Sequence, residues 1–193
     1  MKCIPLLVLI GLLARAPAAL AEDASWRVGL VEHNIHIGGY GEKQSHEGGV
    51  NLEADLVGAP IRDLSVIFAP RPYVMASINT DGDTSFAAAG LYWRWRPNRV
   101  WSVEPGFGLA VHDSELHNPF PDSDPRAAIF QRAHQLLGTR LLFCDTLALD
   151  RDIGGGRTIG LGFEHLSNGG KLFGQRDNES LNELGLRYSA TFR

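Results

Sequence analysis

The amino-acid sequence predicts an all-β fold, an eight-stranded antiparallel β-barrel that crosses a membrane with its strands. Three observations carry that prediction. Successive stretches of the chain alternate with a period of two residues, which sends alternate side chains to opposite faces of a strand. One face of each stretch is apolar and tends to end in aromatics, while the other holds Gly, Ala, Ser and mid-strand charges such as Glu53, Asp55, Glu104 and Arg187. A soluble barrel or sandwich turns its apolar face inward; a barrel in lipid turns it outward and fills its lumen with the small and polar set. The third observation is an N-terminus that reads as an export leader.

In that leader Lys2 precedes an apolar core from Ile4 to Leu13, and Ala19-Leu20-Ala21 supplies cleavage chemistry. A signal peptide is expected over residues 1–21 and a single barrel over 22–193. An exported chain with apolar-outward strands belongs in the outer membrane of a Gram-negative cell. Removing the leader also removes Cys3 and leaves Cys144 alone, so no internal disulfide is expected. Nothing after residue 25 is apolar for long enough to form a transmembrane helix. A formal charge of -4 over 193 residues suits neither a nucleic-acid partner nor an acidic disordered tail.

The elements follow in order. The first strand runs from Trp26 to Ile37 with imperfect alternation, and a polar loop around Gly38-Gly39-Tyr40-Gly41 ends it. The second, about 46–57, sets Val50, Leu52, Ala54 and Leu56 against Asn51, Glu53 and Asp55. A connection over 58–70 leads to a third strand at about 71–79, and Asp81-Gly82-Asp83 is a tight turn. The fourth strand aligns Ala87, Ala89, Leu91, Trp93 and Trp95, and Pro97-Asn98-Arg99 turns the chain. The fifth places Trp101, Val103, Pro105, Phe107, Leu109 and Val111 opposite Ser102, Glu104, Gly106, Gly108, Ala110 and His112. A polar loop over 113–127 precedes a weakly patterned sixth strand at about 128–143, and residues 145–154 are read as a turn. The seventh aligns Ile159, Leu161, Phe163, His165 and Ser167; the eighth aligns Asn182, Leu184, Leu186, Tyr188, Ala190 and Phe192. With both termini in the periplasm, odd-numbered strands end at the cell surface.

The seventh strand poses the functional question, because an apolar stripe ends there in a base and a nucleophile. An imidazole can take the proton of a serine hydroxyl as the oxygen attacks a carbonyl. At ~3.3 Å per residue, His165 and Ser167 have Cβ atoms about 6.6 Å apart. A third group should hold the ring and its tautomer. Asn182 begins the next strand on the same face, and Glu179 and Glu183 are nearby alternatives, with Glu183 on lumen parity. Two other groupings fail on geometry. His112-Asp113-Ser114 has three suitable residue types, but adjacent residues cannot converge from one strand, and His33 and His36 have opposite parity.

The stretch His165-Leu166-Ser167-Asn168-Gly169, the segment Arg176-Asp177-Asn178-Glu179-Ser180-Leu181-Asn182 and the following Leu184-Gly185-Leu186-Arg187-Tyr188 resemble the lipid A 3-O-deacylase family (PagL-type outer-membrane enzymes). The resemblance is looser over Pro72 to Ala89 and Trp101 to His112. It implies an eight-stranded outer-membrane barrel that hydrolyses the ester-linked 3-hydroxyacyl chain at position 3 of lipid A. His165 then matches the general base, Ser167 the nucleophile, and Asn168 and Asn178 the motif asparagines that position substrate or its oxyanion. The partner is lipid A or lipopolysaccharide of the outer leaflet; no cofactor and no metal are implied. The chain departs from the family pattern in a slightly longer loop, in Ser180 where glycine is usual, and in Asn182 where an acid is usual. Motif position and face together make Asn182 the first choice for the group that holds His165. The alternative from another class is a non-enzymatic small outer-membrane barrel serving adhesion or membrane integrity.

Overall fold

The computed structural model describes residues 24–36, 47–169 and 179–192. The leader and Asn178 lie outside the described residues. Among the described residues the strands are β1 (Ser25–Glu32), β2 (Val50–Val57), β3 (Arg71–Asn79), β4 (Phe86–Tyr92), β5 (Trp101–His112), β6 (Leu141–Gly154), β7 (Arg157–Ser167) and β8 (Leu181–Thr191), with an α-helix, α1 (Pro125–Ala133). Each strand pairs with its sequence neighbour, and β1 pairs antiparallel with β8, so the sheet closes into a barrel. No helix among the described residues is long and apolar enough to cross a membrane.

The alternation sorts the side chains as expected. Outward residues such as Leu30 and Leu186 remain 60% and 68% exposed, whereas Glu53, Glu164 and Glu183 are at most 3% exposed. A chain that shows its leucines and hides its glutamates has lipid outside. The buried arginines Arg27 and Arg187 are paired with buried glutamates, as a low-dielectric lumen favours, while the buried Asp55 carboxylate has no hydrogen-bond partner among the described residues. Arg187 reaches Glu53 at 3.0 Å and also binds Glu164, while Arg27 and Arg94 share Glu104. Tyr73 and Tyr92 stack with ring centroids 4.1 Å apart, and the Arg27 guanidinium sits 4.8 Å over the Tyr92 ring. Glycine at 106 and 162 leaves room for this filling: a Cβ there would meet the Tyr92 ring and the Arg187 guanidinium respectively.

Several boundaries differ from expectation, among them the start of β2, which lies at Val50 rather than about 46. The sixth strand lies at Leu141–Gly154, not 128–143, and the segment read as a turn is strand. Residues 125–133 are helical because Asp124 caps the amide of Arg126 and Pro125 occupies the first turn. The lumen side of β6 carries Leu142, Cys144 and Ala148, all buried, so both of its faces look apolar and the period is muted. β4 stops at Tyr92, before the expected Trp95. The Trp93 amide still donates to the Pro105 carbonyl at 2.9 Å, but Pro105 has no N–H to return; an isolated bridge at Trp95 and Val103 is what remains. β1 ends at Glu32 rather than Ile37, because His33 and Asn34 turn into the barrel mouth and Asn34 adopts φ 53°.

The tryptophans and Tyr188 gather at one end. Trp26, Trp95, Trp101 and Tyr188 lie towards the strand ends that adjoin the termini, and the rings of Trp26 and Tyr188 are 5.5 Å apart. The connection between β2 and β3 carries a short 3-10 helix (Arg62–Ile67) at the same end, and the Trp93 indole donates to the Ile67 carbonyl at 2.8 Å.

Candidate active site

β7 places His165 and Ser167 on the outward face, half-exposed, near the end opposite the termini. The register of β7 and β8 sets His165 directly across from Asn182. The imidazole Nδ1 donates to Asn182 Oδ1 at 2.6 Å. An amide oxygen can only accept, so the hydrogen is on Nδ1 and Nε2 carries the free lone pair. This is the tautomer a general base for Ser167 needs. Ser167 itself lies across from Phe143 of β6.

The two carboxylates considered for the ring are engaged elsewhere. Glu183 is fully buried in the lumen, where it accepts from Asn51 Nδ2 at 2.5 Å and Ser77 Oγ at 2.7 Å and faces His33 at 3.1 Å. Glu179 accepts from the amide of Leu136 at 2.8 Å and from Gln131 Nε2 at 3.3 Å. Asn168 is buried, and its amide nitrogen donates to the Leu137 carbonyl at 3.3 Å. The grouping His112-Asp113-Ser114 serves structure: His112 Nε2 meets the Thr139 carbonyl at 2.7 Å, and Ser114 Oγ donates to the Gln135 carbonyl.

Sequence reading missed a carboxylate. Asp145 of β6 pairs directly with His165, on the side away from Asn182. It is exposed on the outward face, where its strand neighbours of the same parity are Phe143 and Leu147. Directly opposed residues have Cβ atoms about 4.5–5.5 Å apart, so the ring is flanked by an amide and an acid. The signal was a lone charge on an apolar parity, Leu141-x-Phe143-x-Asp145-x-Leu147-x-Leu149, hidden by reading those residues as a turn. Together Asp145, His165, Ser167 and Asn182 form a polar island bordered by Leu147, Phe163 and Leu184.

A second acidic grouping lies inside. Glu53, Glu164 and Glu183 bring carboxylate oxygens within 4.8 Å of one another. Arg187 supplies positive charge to the first two and His33 to the third, so the barrel's own cations serve these carboxylates.

The family model of the lipid A 3-O-deacylases (PagL) matches residues 44–191. The chain belongs to this family. Its fold is similar to that in the crystal structure of the outer membrane enzyme PagL, at 13% identity and a TM-score of 0.52 over 86% of this chain and 97% of that one. It is equally similar to Neisserial surface protein A (NspA), at 8% identity and a TM-score of 0.53 over 89% and 98%. At such identities these likenesses concern the fold alone. No curated protein matches the sequence. Family membership and barrel together place this PagL-family chain in the bacterial outer membrane.

Proposed function

We propose that the protein is a lipid A 3-O-deacylase that hydrolyses the ester-linked 3-hydroxyacyl chain at position 3 of lipid A in the outer leaflet. Ser167 attacks the ester carbonyl while His165 Nε2 takes its proton. The resulting alkoxide of the sugar leaves with that proton, and the acyl chain remains on Ser167. Water, deprotonated by the same nitrogen, then releases the hydroxy fatty acid. Asn182 fixes the ring through Nδ1. Asp145 supplies the formal negative charge that an amide lacks, stabilising the imidazolium formed in each half-reaction. Asn168 and Asn178 position the ester or its oxyanion.

The observation that carries this reading is the 2.6 Å contact between His165 Nδ1 and Asn182 Oδ1 on the lipid-facing side of a lipid A deacylase family member. A hydrolase for a soluble substrate has no reason to aim its base at the membrane. The test is mass spectrometry of lipid A from cells producing the wild type, Ser167→Ala or His165→Ala. Loss of one hydroxyacyl chain with wild type only is expected. Unchanged lipid A with correctly folded wild type would overturn the proposal in favour of a non-enzymatic barrel.

A further inference from the structure

An amide in place of an acid creates a requirement that an acid does not have. The two oxygens of a carboxylate are equivalent, but the two ends of an amide are opposite in hydrogen-bonding sense. If Asn182 turned over, its NH2 would face the protonated Nδ1 of His165 and the base would lose its tautomer. Something must therefore hold the amide one way round.

The group in contact is the main chain at Ile35. The Ile35 N–H donates to the Asn182 carbonyl at 2.9 Å, and Asn182 Nδ2 is 3.4 Å from the Ile35 carbonyl oxygen. The first contact adds a backbone rung beside β8; the second gives the amide nitrogen an acceptor and leaves the oxygen for His165. Ile35 lies beyond the end of β1, so its position depends on what anchors that loop.

One anchor is the His33 side chain, two residues earlier; Asn34 between them adds bonds from Nδ2 to the Glu47 carbonyl and to Gln135 Oε1, each at 3.3 Å. The His33 side chain is fully buried, with Nδ1 3.1 Å from Glu183 Oε1 and Nε2 3.3 Å from Glu47 Oε2. Both ring nitrogens meet oxygens that only accept, so both carry hydrogen and the ring is an imidazolium. Burial opposes that charge, but the two carboxylates outweigh it and raise the histidine to about 9. Glu47 also accepts from the Gln135 amide at 2.7 Å and from Thr84 Oγ1 at 2.6 Å. The carboxylates of Glu47 and Glu183 are the charged groups on the ring; Asn51 of β2, Ser77 of β3, Thr84 and Gln135 surround those carboxylates with neutral donors. Glu183 and Asn182 are adjacent in β8 and point to opposite faces. One strand step thus separates the lumenal anchor from the outward site.

Resting on the proposed esterase, we infer that the Glu183–His33–Glu47 bridge is a positioning device for catalysis, holding the Ile35 carbonyl where it selects the active orientation of the Asn182 amide. His33 touches neither substrate nor reacting atoms; it acts through Ile35 and Asn182. The inference separates this chain from one with an acid at position 182, which would need no such selection.

The test is a double-mutant cycle on purified, refolded barrels in lipopolysaccharide-containing vesicles, with folding checked by heat-modifiable migration. His33→Gln should lower kcat about tenfold with KM nearly unchanged. It should add almost nothing to Asn182→Ala, because both remove the same orientation. In an Asn182→Asp background, whose oxygens are equivalent, the same substitution should cost less than about twofold. Glu47→Gln, which keeps the side-chain volume and discharges the bridge, serves where His33→Gln does not fold. Nitrogen NMR of the histidine ring provides a readout independent of turnover: His165 should be the Nδ1–H tautomer in wild type and a mixture in the bridge variants. Additive losses with an unchanged His165 tautomer would overturn the inference. A wild type that does not deacylate, yet loses its tautomer in the bridge variants, would refute the esterase while leaving the device standing.

Discussion

Raising the pH through about 9 should cost the folded barrel roughly 3 kcal/mol through one side chain, His33. In the unfolded chain this imidazole titrates near 6.5; between Glu183 and Glu47 it titrates at about 9. Each pH unit in that interval is worth about 1.36 kcal/mol. The sign follows from which state holds the proton. Below 6.5 both states are protonated and the full stabilisation is present; as pH rises towards 9 only the folded state keeps its proton, and the stabilisation is lost. Glu47 has the opposite limb. Burial disfavours its charge, but His33, the Gln135 amide and Thr84 outweigh burial and hold it below the usual carboxylate range. Its contribution is present above the ordinary glutamate value and falls away in acid. Stability should therefore be greatest between about pH 4.5 and 6.5. Urea unfolding in phospholipid vesicles, followed by tryptophan fluorescence, measures this for wild type and His33→Gln. The variant should be weaker at about pH 6 and should converge on wild type above about pH 9. Curves that run parallel across the whole interval would refute a charged His33.

Other expectations concern the site and the lumen. Asp145→Asn should lower kcat by roughly ten- to a hundredfold with little change in KM, since it removes a charge about one cross-strand spacing from the imidazolium; activity within about twofold of wild type would remove Asp145 from the mechanism. Arg187→Met leaves the buried carboxylates of Glu53 and Glu164 without their cation and should cost about 3–5 kcal/mol in urea unfolding. Gly162→Ala should give a smaller loss in the same assay, because the new methyl displaces the Arg187 guanidinium.

How far the fold could be read depended on contrast between the two faces of each strand. In β5, Phe107, Leu109 and Val111 alternate with Gly108, Ala110 and His112, and both boundaries match residue for residue. In β6 the lumen carries Leu142, Cys144 and Ala148, so contrast vanished and the strand was displaced by more than ten residues. The same displacement hid Asp145, whose meaning depends on register with His165. Parity was enough to put His165, Ser167 and Asn182 on one face, because all three lie inside well-contrasted strands. No pattern could have revealed His33 with Glu47 and Glu183. The bridge joins residues 14 and 150 positions apart, and only closure of β1 onto β8 brings them together.

That closure also explains where the chemistry sits. The lumen holds Tyr73, Tyr92, Arg27 and Arg187 with their carboxylates, so it offers rigidity. The outward face has the opposite character, with the proposed substrate present as solvent and few polar groups to orient a base. The strands connect the two faces. At β8 the consecutive residues Asn182 and Glu183 point to opposite sides, and one holds His165 while the other holds His33. A shift of β8 by one residue would exchange them, sending the amide into the lumen and a carboxylate into the membrane. The buried ion pairs of Arg187 and the His33 bridge oppose that shift from inside. The interior of this barrel therefore serves the proposed catalysis by fixing the register in which an exterior site can exist.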